Sequence, residues 1–292
     1  MRNKIVGLTV GLTMLLTANP SIAGVITLYD GASGVTPNQY NSPSPWLSFT
    51  TFRYDTSTST FTPFAPVGTQ TATGGVTTLD STTSNNDSIY AGYSNYKVSS
   101  FSPVGISKVN PAFPTLDRNA GYTLSFTMKI NTEADTSDAT HPRAGFSVLV
   151  LSSDKQGIEI GFRSSEIFSQ ANAAFDTIGE QVTGVSSLLS SLNTYDLNVS
   201  GNSYTLTNGT TTLLNGLLRD YTAATGINGL ASLVYNTPNY IFLGDNTTSA
   251  RASVDIQSIN LTTVPYEFSP TAGILALVAG GAVNHLLKKK KS

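Results

Sequence analysis

The chain has 292 residues, a formal net charge of −2 and no cysteine. The lack of cysteine excludes disulfide bonds, cysteine-ligated zinc, covalent haem attachment and cysteine nucleophiles. Six of the 16 Lys and Arg residues, but only one of the 18 Asp and Glu residues, lie in segments 1–23 and 264–292. Residues 24–263 therefore carry a formal charge of −7, which repels nucleic acid and anionic lipid. No nucleic-acid partner is expected.

The N-terminus has the three parts of a secretory signal peptide. Arg2 and Lys4 form a positively charged region, an apolar run follows to about Leu16, and small residues then lead up to Ala23. We predict a signal peptide over residues 1–23, with cleavage between Ala23 and Gly24. The alternative, a transmembrane helix, is disfavoured because about 13 apolar residues are too few to span a bilayer.

Residues 24–263 are predicted to form one antiparallel β-sandwich. Segment 55–87 is rich in Ser, Thr and Gly and is typical of long loops between short edge strands. The stretch YTLSFTMKI, from Tyr122 to Ile130, alternates apolar and polar residues, and GFSVLVLSS is an apolar strand covered on both faces. In GIEIGFRS, Ile158 points inward and Glu159 points outward.

The remaining segments of the domain continue this pattern with one interruption. Residues 173–192 carry apolar side chains at helical spacing, which predicts a short helix or an insertion packed over the sheet. YDLNVSGNSYTLTNG predicts a hairpin that turns at Gly201 and Asn202, and NYIFLGD and RASVDIQSINL predict the last two strands. Strands that recur every 8–12 residues favour a sandwich or jelly roll.

The C-terminal tail combines a short apolar stretch, Ala272–Leu287, with a basic end, Lys288–Lys291. These sixteen residues, which include Asn284 and His285, are at or just below the length needed to span a membrane. Two interpretations stay open: a permanent membrane anchor, or a sorting signal that is cut off after export.

The tail, residues 264–292, resembles the PEP-CTERM class of bacterial sorting signals, in the variant with proline, an aromatic residue and glutamate. The residues that carry the resemblance are Val264, Pro265, Tyr266, Glu267, Phe268, Ser269 and Pro270. The resemblance implies an exosortase-type transpeptidase as partner and transient inner-membrane tethering through the C-terminal helix. It also implies delivery to the cell surface, the outer envelope or the extracellular matrix.

The succession of strands from Leu116 to Leu261 resembles the concanavalin A-like, laminin G-like family of jelly-roll sandwiches. The resemblance implies a lectin-like sandwich, and laminin G-like domains often bind calcium at a loop rim. Asp154, Asp245 and Asn246 offer the oxygen ligands that calcium prefers, on two predicted loops. The alternative is that these side chains form plain Asx-turns.

Two groups of residues are candidates for ligand binding. IYAGYSNY places Tyr90, Tyr93 and Tyr96 in a loop-like stretch, where aromatic rings stack on sugars. Glu159 and Arg163, about 13 Å apart along a strand, would line a groove. The alternatives are tyrosines buried in strands and a solvated outer face.

No residue is predicted to be catalytic. Residues 24–263 contain one histidine, His141, and no Gly-x-Ser-x-Gly elbow. Glu159 and Glu166 are seven positions apart and would face opposite sides of one extended strand. We expect an exported, non-enzymatic surface or matrix protein with polysaccharide as its ligand. The alternatives are a glycan-active hydrolase with an atypical carboxylate site and a purely structural or adhesive protein.

Overall fold

The computed structural model describes residues 24–55, 60–63, 68–83, 88–101, 104–135, 142–225, 230–247 and 249–263. All of these lie in one compact unit, Ala23–Val264. The predicted signal peptide, the sorting signal with its motif, and His141 fall outside the described residues. No helix in the described ranges is long and apolar enough to cross a membrane.

Strands dominate the described residues, as the alternation of apolar and polar side chains predicts. They are β1 (Gly24–Asp30), β2 (Ser48–Asp55), β3 (Thr60–Pro63), β4 (Thr69–Thr73), β5 (Val76–Asp80), β6 (Ser88–Ser94), β7 (Tyr96–Phe101), β8 (Val104–Lys108), β9 (Tyr122–Asp135), β10 (Phe146–Leu151), β11 (Gln156–Arg163), β12 (Glu166–Gln170), β13 (Ile178–Thr183), β14 (Asn193–Ser200), β15 (Ser203–Asn208), β16 (Thr211–Leu217), β17 (Arg219–Asp220), β18 (Tyr240–Asp245) and β19 (Ala250–Thr263). The helices are a 3-10 turn at Gly31–Ser33, α1 at Ser186–Leu189 and α2 at Leu230–Tyr235.

The strands form two large antiparallel sheets within the described ranges. The eight-stranded sheet has the order β16-β15-β14-β9-β19-β5-β4, with β1 also paired to β19. The nine-stranded sheet has the order β13-β12-β11-β10-β18-β6-β2-β3, with β17 paired to β11. Strands β7 and β8 form a separate hairpin. The prediction of an all-β protein with antiparallel sheets is confirmed.

The main hydrophobic core lies between the two sheets. The apolar residues of β9 from Tyr122 to Ile130 and those of β11 from Ile158 to Phe162 are buried in one cluster, as their alternation predicts. Phe126 of β9 contacts Phe162 of β11 edge to face, with ring centroids 5.7 Å apart. Because these rings belong to different sheets, the contact joins the two layers into a sandwich.

Two further predictions about the strands are confirmed, and a third is correct only in part. Every residue of β10 is buried, and β10 lies between β11 and β18 in the sheet. Strands β14 and β15 form a hairpin, and Ser200 and Ser203 are the paired residues next to its turn. For segment 55–87, the prediction of short edge strands is correct for β3 and β4. It is wrong for β5, which pairs with both β4 and β19 and is joined to β4 by a two-residue turn, because a partner on each side makes it an inner strand. Residues 56–59, 64–67 and 84–87, where long loops were predicted, are outside the described residues.

The prediction of a helix over residues 173–192 is wrong for most of that segment. Residues Ile178–Thr183 form β13, whose side chains alternate between half-buried and exposed, and α1 is a single turn. Pairing with β12 supplies backbone hydrogen bonds to this segment. Gly179 and Gly184 would each destabilise a helix by about 1 kcal/mol. The segment therefore forms a strand paired with β12, although its apolar residues have helical spacing.

The outer face of the nine-stranded sheet is its side that points away from the eight-stranded sheet. Because Ile158 and Ile160 point into the core, Glu159 and Arg163 belong to the outer face. A second apolar cluster covers part of this face and includes Leu149 of β10, Tyr221 after β17 and Tyr235 of α2. The outer face is therefore only partly open to solvent.

Candidate functional site

The three candidate tyrosines lie on strands rather than in a loop. Tyr93 is fully buried in the core, where its hydroxyl donates to Oε1 of Gln70 at 2.9 Å. Tyr90 is half-buried on the opposite, outer face of β6, because residues three apart on a strand point to opposite sides. Tyr96 begins β7, packs against Tyr240 and donates to the carbonyl of Pro238. The expectation of three exposed rings in a loop is wrong.

Glu159 is completely buried, so it neither lines an open groove, as predicted, nor lies on a solvated outer face, the alternative. Its Oε1 lies 2.9 Å from Nη2 of Arg143, whose side chain is 8% exposed. Arg163, the expected groove partner of Glu159, instead pairs with Glu166, with Nη1 and Oε1 2.6 Å apart. The outer face therefore carries two separate ion pairs, one buried and one near the surface.

The Arg143–Glu159 pair is held by a network of hydrogen bonds from two other segments of the chain. The hydroxyl of Tyr235 donates to Oε2 of Glu159. Asn246 uses both ends of its amide: Nδ2 donates to Oε1 of Glu159 at 3.1 Å, and Oδ1 accepts from Nη2 of Arg143 at 2.9 Å. Buried charges persist when they are paired and hydrogen-bonded in this way.

Electrostatics keep Arg143 charged despite its burial. Burial acts to lower the pKa of Arg143, but Glu159, Tyr235 and Tyr90 outweigh it and raise the pKa above its ordinary value. Burial raises the pKa of Tyr235 well above its usual range, and the charge of Glu159 raises it further. Tyr235 therefore stays a hydrogen-bond donor to Glu159.

Tyr221 bridges the backbones of β11 and β12 beside the network. Its buried hydroxyl accepts from the amide of Glu159 at 3.3 Å and donates to the carbonyl of Gln170 at 2.7 Å. On this side, the last paired residues of the two strands are Ile160 and Ser169. The phenol therefore continues the ladder where direct backbone pairing ends, and it fixes the backbone of Glu159.

Phe175 covers the network from the loop between β12 and β13. Its ring lies against those of Tyr221 and Tyr235, with centroids 5.9 and 5.1 Å away, and the guanidinium carbon of Arg143 is 4.4 Å from its centroid. Phe175 has a φ of 56°, a left-handed conformation that a bulky residue rarely adopts. Such strain persists only where surrounding contacts impose it, and it is concentrated at functional sites.

The glutamates of the outer face are not arranged as the sequence predicted. Glu159 and Glu166 lie on neighbouring strands joined by a turn, so both belong to the outer face rather than to opposite sides. Because Glu166 pairs with Arg163, four residues along β11 from Glu159, the backbone positions of the two glutamates are about 13 Å apart along the strands. The two carboxylates are held by different partners, Glu159 by Arg143 and Glu166 by Arg163.

The three predicted calcium ligands do not come together. Asp154 follows β10 near Tyr240, whereas Asp245 ends β18, and the five steps between Tyr240 and Asp245 alone span about 17 Å. Asp154 pairs with Arg118 at 2.7 Å, and Asn246 belongs to the Arg143 network. In the ranges that the structure describes, no group of three His, Asp or Glu residues could hold a metal ion. These residues do not fit a shared calcium site.

Asp245 lies buried next to the network and is 1% exposed. Burial raises its pKa well above the ordinary value, against the opposing effects of Ser81, Thr247 and two arginines, Arg143 and Arg251. Burial therefore makes Asp245 harder to ionise than an exposed aspartate.

Sequence reasoning missed Arg143 altogether and assigned other roles to its partners. Arg143 stands in THPRAG, a loop-like stretch that gives no sign of burial. Tyr221 and Tyr235 are recognisable only as aromatic residues, and Gln170 only as a polar strand residue. The single usable signal was Glu159, a charged residue in an otherwise apolar strand, because a charge there needs a partner if it is covered.

The chain matches no protein-family model and no curated protein. Several solved structures are similar at low identity. An alginate lyase shares 12% identity with a TM-score of 0.39, over 74% of this chain and 94% of that one. A carbohydrate esterase from a Shiga toxin-encoding bacteriophage shares 12% with a TM-score of 0.43, over 82% and 99%.

The exoplasmic/lumenal domain of VIP36, in a form bound to Ca2+ and Man2, is similar to the same degree. It shares 12% identity with a TM-score of 0.43, over 85% of this chain and 91% of that one. These identities and scores are too low for the ligands or activities of the three proteins to be transferred to this chain.

Proposed function

We propose that this protein is an exported, non-enzymatic surface or matrix protein that binds a glycan on the outer face of its nine-stranded sheet. In this proposal the sandwich is a jelly roll of the concanavalin A-like kind. Four of the five predicted ligand-binding residues support the location: Tyr90, Glu159 and Arg163 lie on the outer face, and Tyr96 packs beside it against Tyr240.

One observation carries the proposal. Nη1 of Arg143 is buried without a hydrogen-bond partner, although the rest of the side chain is held by Glu159 and Asn246. An unmade bond at a buried donor costs about 1–3 kcal/mol, so proteins retain such a group where a ligand or a water uses it. The half-buried ring of Phe175 lies against this guanidinium, and Tyr90 is another half-buried ring on the same face, close enough to raise the pKa of Arg143; such rings are the kind of surface on which sugars stack.

The carboxylates favour binding over catalysis. Glu159 is engaged by Arg143, Tyr235 and Asn246, and Glu166 is engaged by Arg163 and Gln181. A general acid and a base must both be free to reach the same glycosidic bond, whereas these two glutamates are engaged by different arginines. A glycan-active hydrolase remains the alternative, and release of reducing ends from a bound polysaccharide would establish it.

The test of glycan binding is a polysaccharide array probed with the full chain and with two tyrosine variants. We expect Tyr90→Ala to weaken binding at least tenfold, because it removes a ring beside Arg143. The matched control is Tyr40→Ala, which removes another half-buried ring that packs on Tyr29 of β1. Absence of binding to every polysaccharide, with folding intact, would favour the purely structural or adhesive alternative.

Export and sorting form the second part of the proposal. The support is the sequence of the two terminal segments: residues 1–23 have the features of a signal peptide, and 264–292 resemble an exosortase signal. The test is the intact mass of the protein recovered from membranes and from medium. We expect a released form that begins at Gly24 and ends within 264–270. A full-length C-terminus found only in membranes would mean a permanent anchor.

A further inference from the structure

Two buried polar atoms of opposite kind lie beside the Arg143–Glu159 pair. Nη1 of Arg143 and Oε1 of Gln170 have no hydrogen-bond partner, and their residues are 7% and 1% exposed. Nε2 of Gln170 donates to the carbonyl of Pro142 at 2.7 Å. A carbonyl accepts only, so this bond fixes which end of the amide is Nε2 and leaves Oε1 as the free acceptor. The side chain of Gln170 is thus tied to Pro142, the residue that precedes Arg143 in the chain.

We infer that this site binds a neutral sugar through one of its hydroxyl groups and disfavours sugars that carry a carboxylate or a sulfate. The inference rests on the proposed glycan binding and narrows it to a substrate class. A hydroxyl accepts one hydrogen bond and donates another, so it satisfies both the Arg143 donor and the Gln170 acceptor. A carboxylate or sulfate group in that position only accepts and would leave Oε1 of Gln170 without a donor, and discrimination against whole acidic polymers rests on charge repulsion.

The charges around the site point to the same class of ligand. Glu159 already neutralises Arg143 at 2.9 Å, and neither group is screened by water because both are buried. An incoming anion would face the charge of Glu159 in this desolvated environment, where like charges repel strongly. Residues 24–263 carry a formal charge of −7, so an acidic polysaccharide is also repelled at long range.

The experiment compares polysaccharides that differ only in charge. The full chain is titrated with polygalacturonate and with the same polymer after its carboxylates are reduced to hydroxymethyl groups, together with dextran, mannan and cellulose oligomers as further neutral probes. We expect at least one neutral probe to bind, and the reduced polymer to bind at least tenfold more tightly than polygalacturonate.

Two variants test whether the unpaired atoms carry the selection. Gln170→Met removes the free acceptor with little change in volume, and Arg143→Lys keeps the charge but removes Nη1. We expect each to weaken binding of the neutral probe at least tenfold and to narrow the gap between the neutral and acidic polymers. The matched controls are Gln257→Met, on β19 of the other sheet, and Arg118→Lys, in the Asp154 pair. We expect both to bind normally.

Other outcomes separate the failure of this inference from that of the proposed function. Equal or tighter binding of polygalacturonate, still lost in Tyr90→Ala, would overturn the neutral-sugar inference and keep the glycan site. Normal binding by both Gln170→Met and Arg143→Lys, confirmed as folded by thermal unfolding, would mean that buried water fills the two positions, and the inference would be wrong. Failure of the folded wild type to bind any probe would overturn both.

Discussion

Gly24 and Thr263 lie directly opposite each other, as the first and last residues of the ladder between β1 and β19. Strand β5 pairs with β19 from Ser253 to Ile256, and β1 pairs with it from Ser258 onward. β1 therefore covers the C-terminal half of a strand that would otherwise present an unpaired edge. The predicted signal cleavage before Gly24 and the predicted sorting motif after Thr263 flank this ladder, so cuts at both sites would leave it whole.

The contribution of β1 to stability can be tested by substitution at Leu28. Leu28 is fully buried in the core, so Leu28→Ala is expected to lower the free energy of unfolding by about 2–5 kcal/mol. Val25, on the same strand, is 66% exposed, and Val25→Ala should change the free energy by less than about 0.5 kcal/mol. Chemical denaturation measures both. Equal effects of the two substitutions would show that β1 is not packed as described.

The two ion pairs of the outer face should differ in their response to the loss of one partner. Arg143→Met leaves Glu159 charged and buried, so a loss of about 3–5 kcal/mol is expected. Arg163→Met leaves Glu166, whose side chain is 15% exposed and can be partly hydrated, so a smaller loss of about 1 kcal/mol is expected.

A double-mutant cycle with Glu159→Gln completes this test. The Arg143→Met/Glu159→Gln protein should be more stable than the sum of the single losses predicts, because no buried charge is left without a partner. Additive losses would mean that the two groups do not interact.

Tyr221→Phe should loosen the junction of β11 and β12. Loss of the hydroxyl leaves the amide of Glu159 and the carbonyl of Gln170 unpaired, at a cost of about 1–3 kcal/mol. We expect the Glu159 amide to exchange its hydrogen faster in the variant. The control is Tyr96→Phe, whose exposed bond to Pro238 should matter little. Unchanged exchange at Glu159 would contradict the bridging role.

Glu180 should make stability depend on pH in the acid range. It lies on β13 and accepts from Ser169 of β12, Tyr204 of the opposite sheet and Arg219. Burial raises the pKa of Glu180, but these hydrogen bonds outweigh it and lower the pKa to about 2. The stabilisation is therefore complete above pH 4.5 and is lost as the pH falls toward 2.

The side chain of Glu180 is 29% exposed, so solvent screening limits the expected contribution to about 1–2 kcal/mol. Glu180→Gln should remove this stabilisation at pH 7 and flatten the dependence of the unfolding free energy between pH 4.5 and 2. A variant with the same acid-limb slope as the wild type would show that Glu180 is not the titrating group.

The strand pattern could be predicted because it is local. In a strand, successive side chains point to opposite faces whatever lies beyond them, so alternation from Tyr122 to Ile130 was sufficient to place β9 against a core. The same reasoning failed for residues 178–183, where helical spacing and strand alternation coexist in a short segment. Pairing with β12, which no local pattern encodes, decided between them.

The candidate site depended on contacts that are distant in sequence. Alternation placed Glu159 on the outer face of its sheet, but it could not tell whether that face meets water. Tyr221 and Tyr235, which follow Glu159 by 62 and 76 residues, cover the glutamate. Arg143 reaches it from the segment just before β10. The sequence by itself thus determined the side of the sheet on which Glu159 lies. Only the tertiary structure decided that it is buried and paired, because burial depends on which distant segments pack over a face.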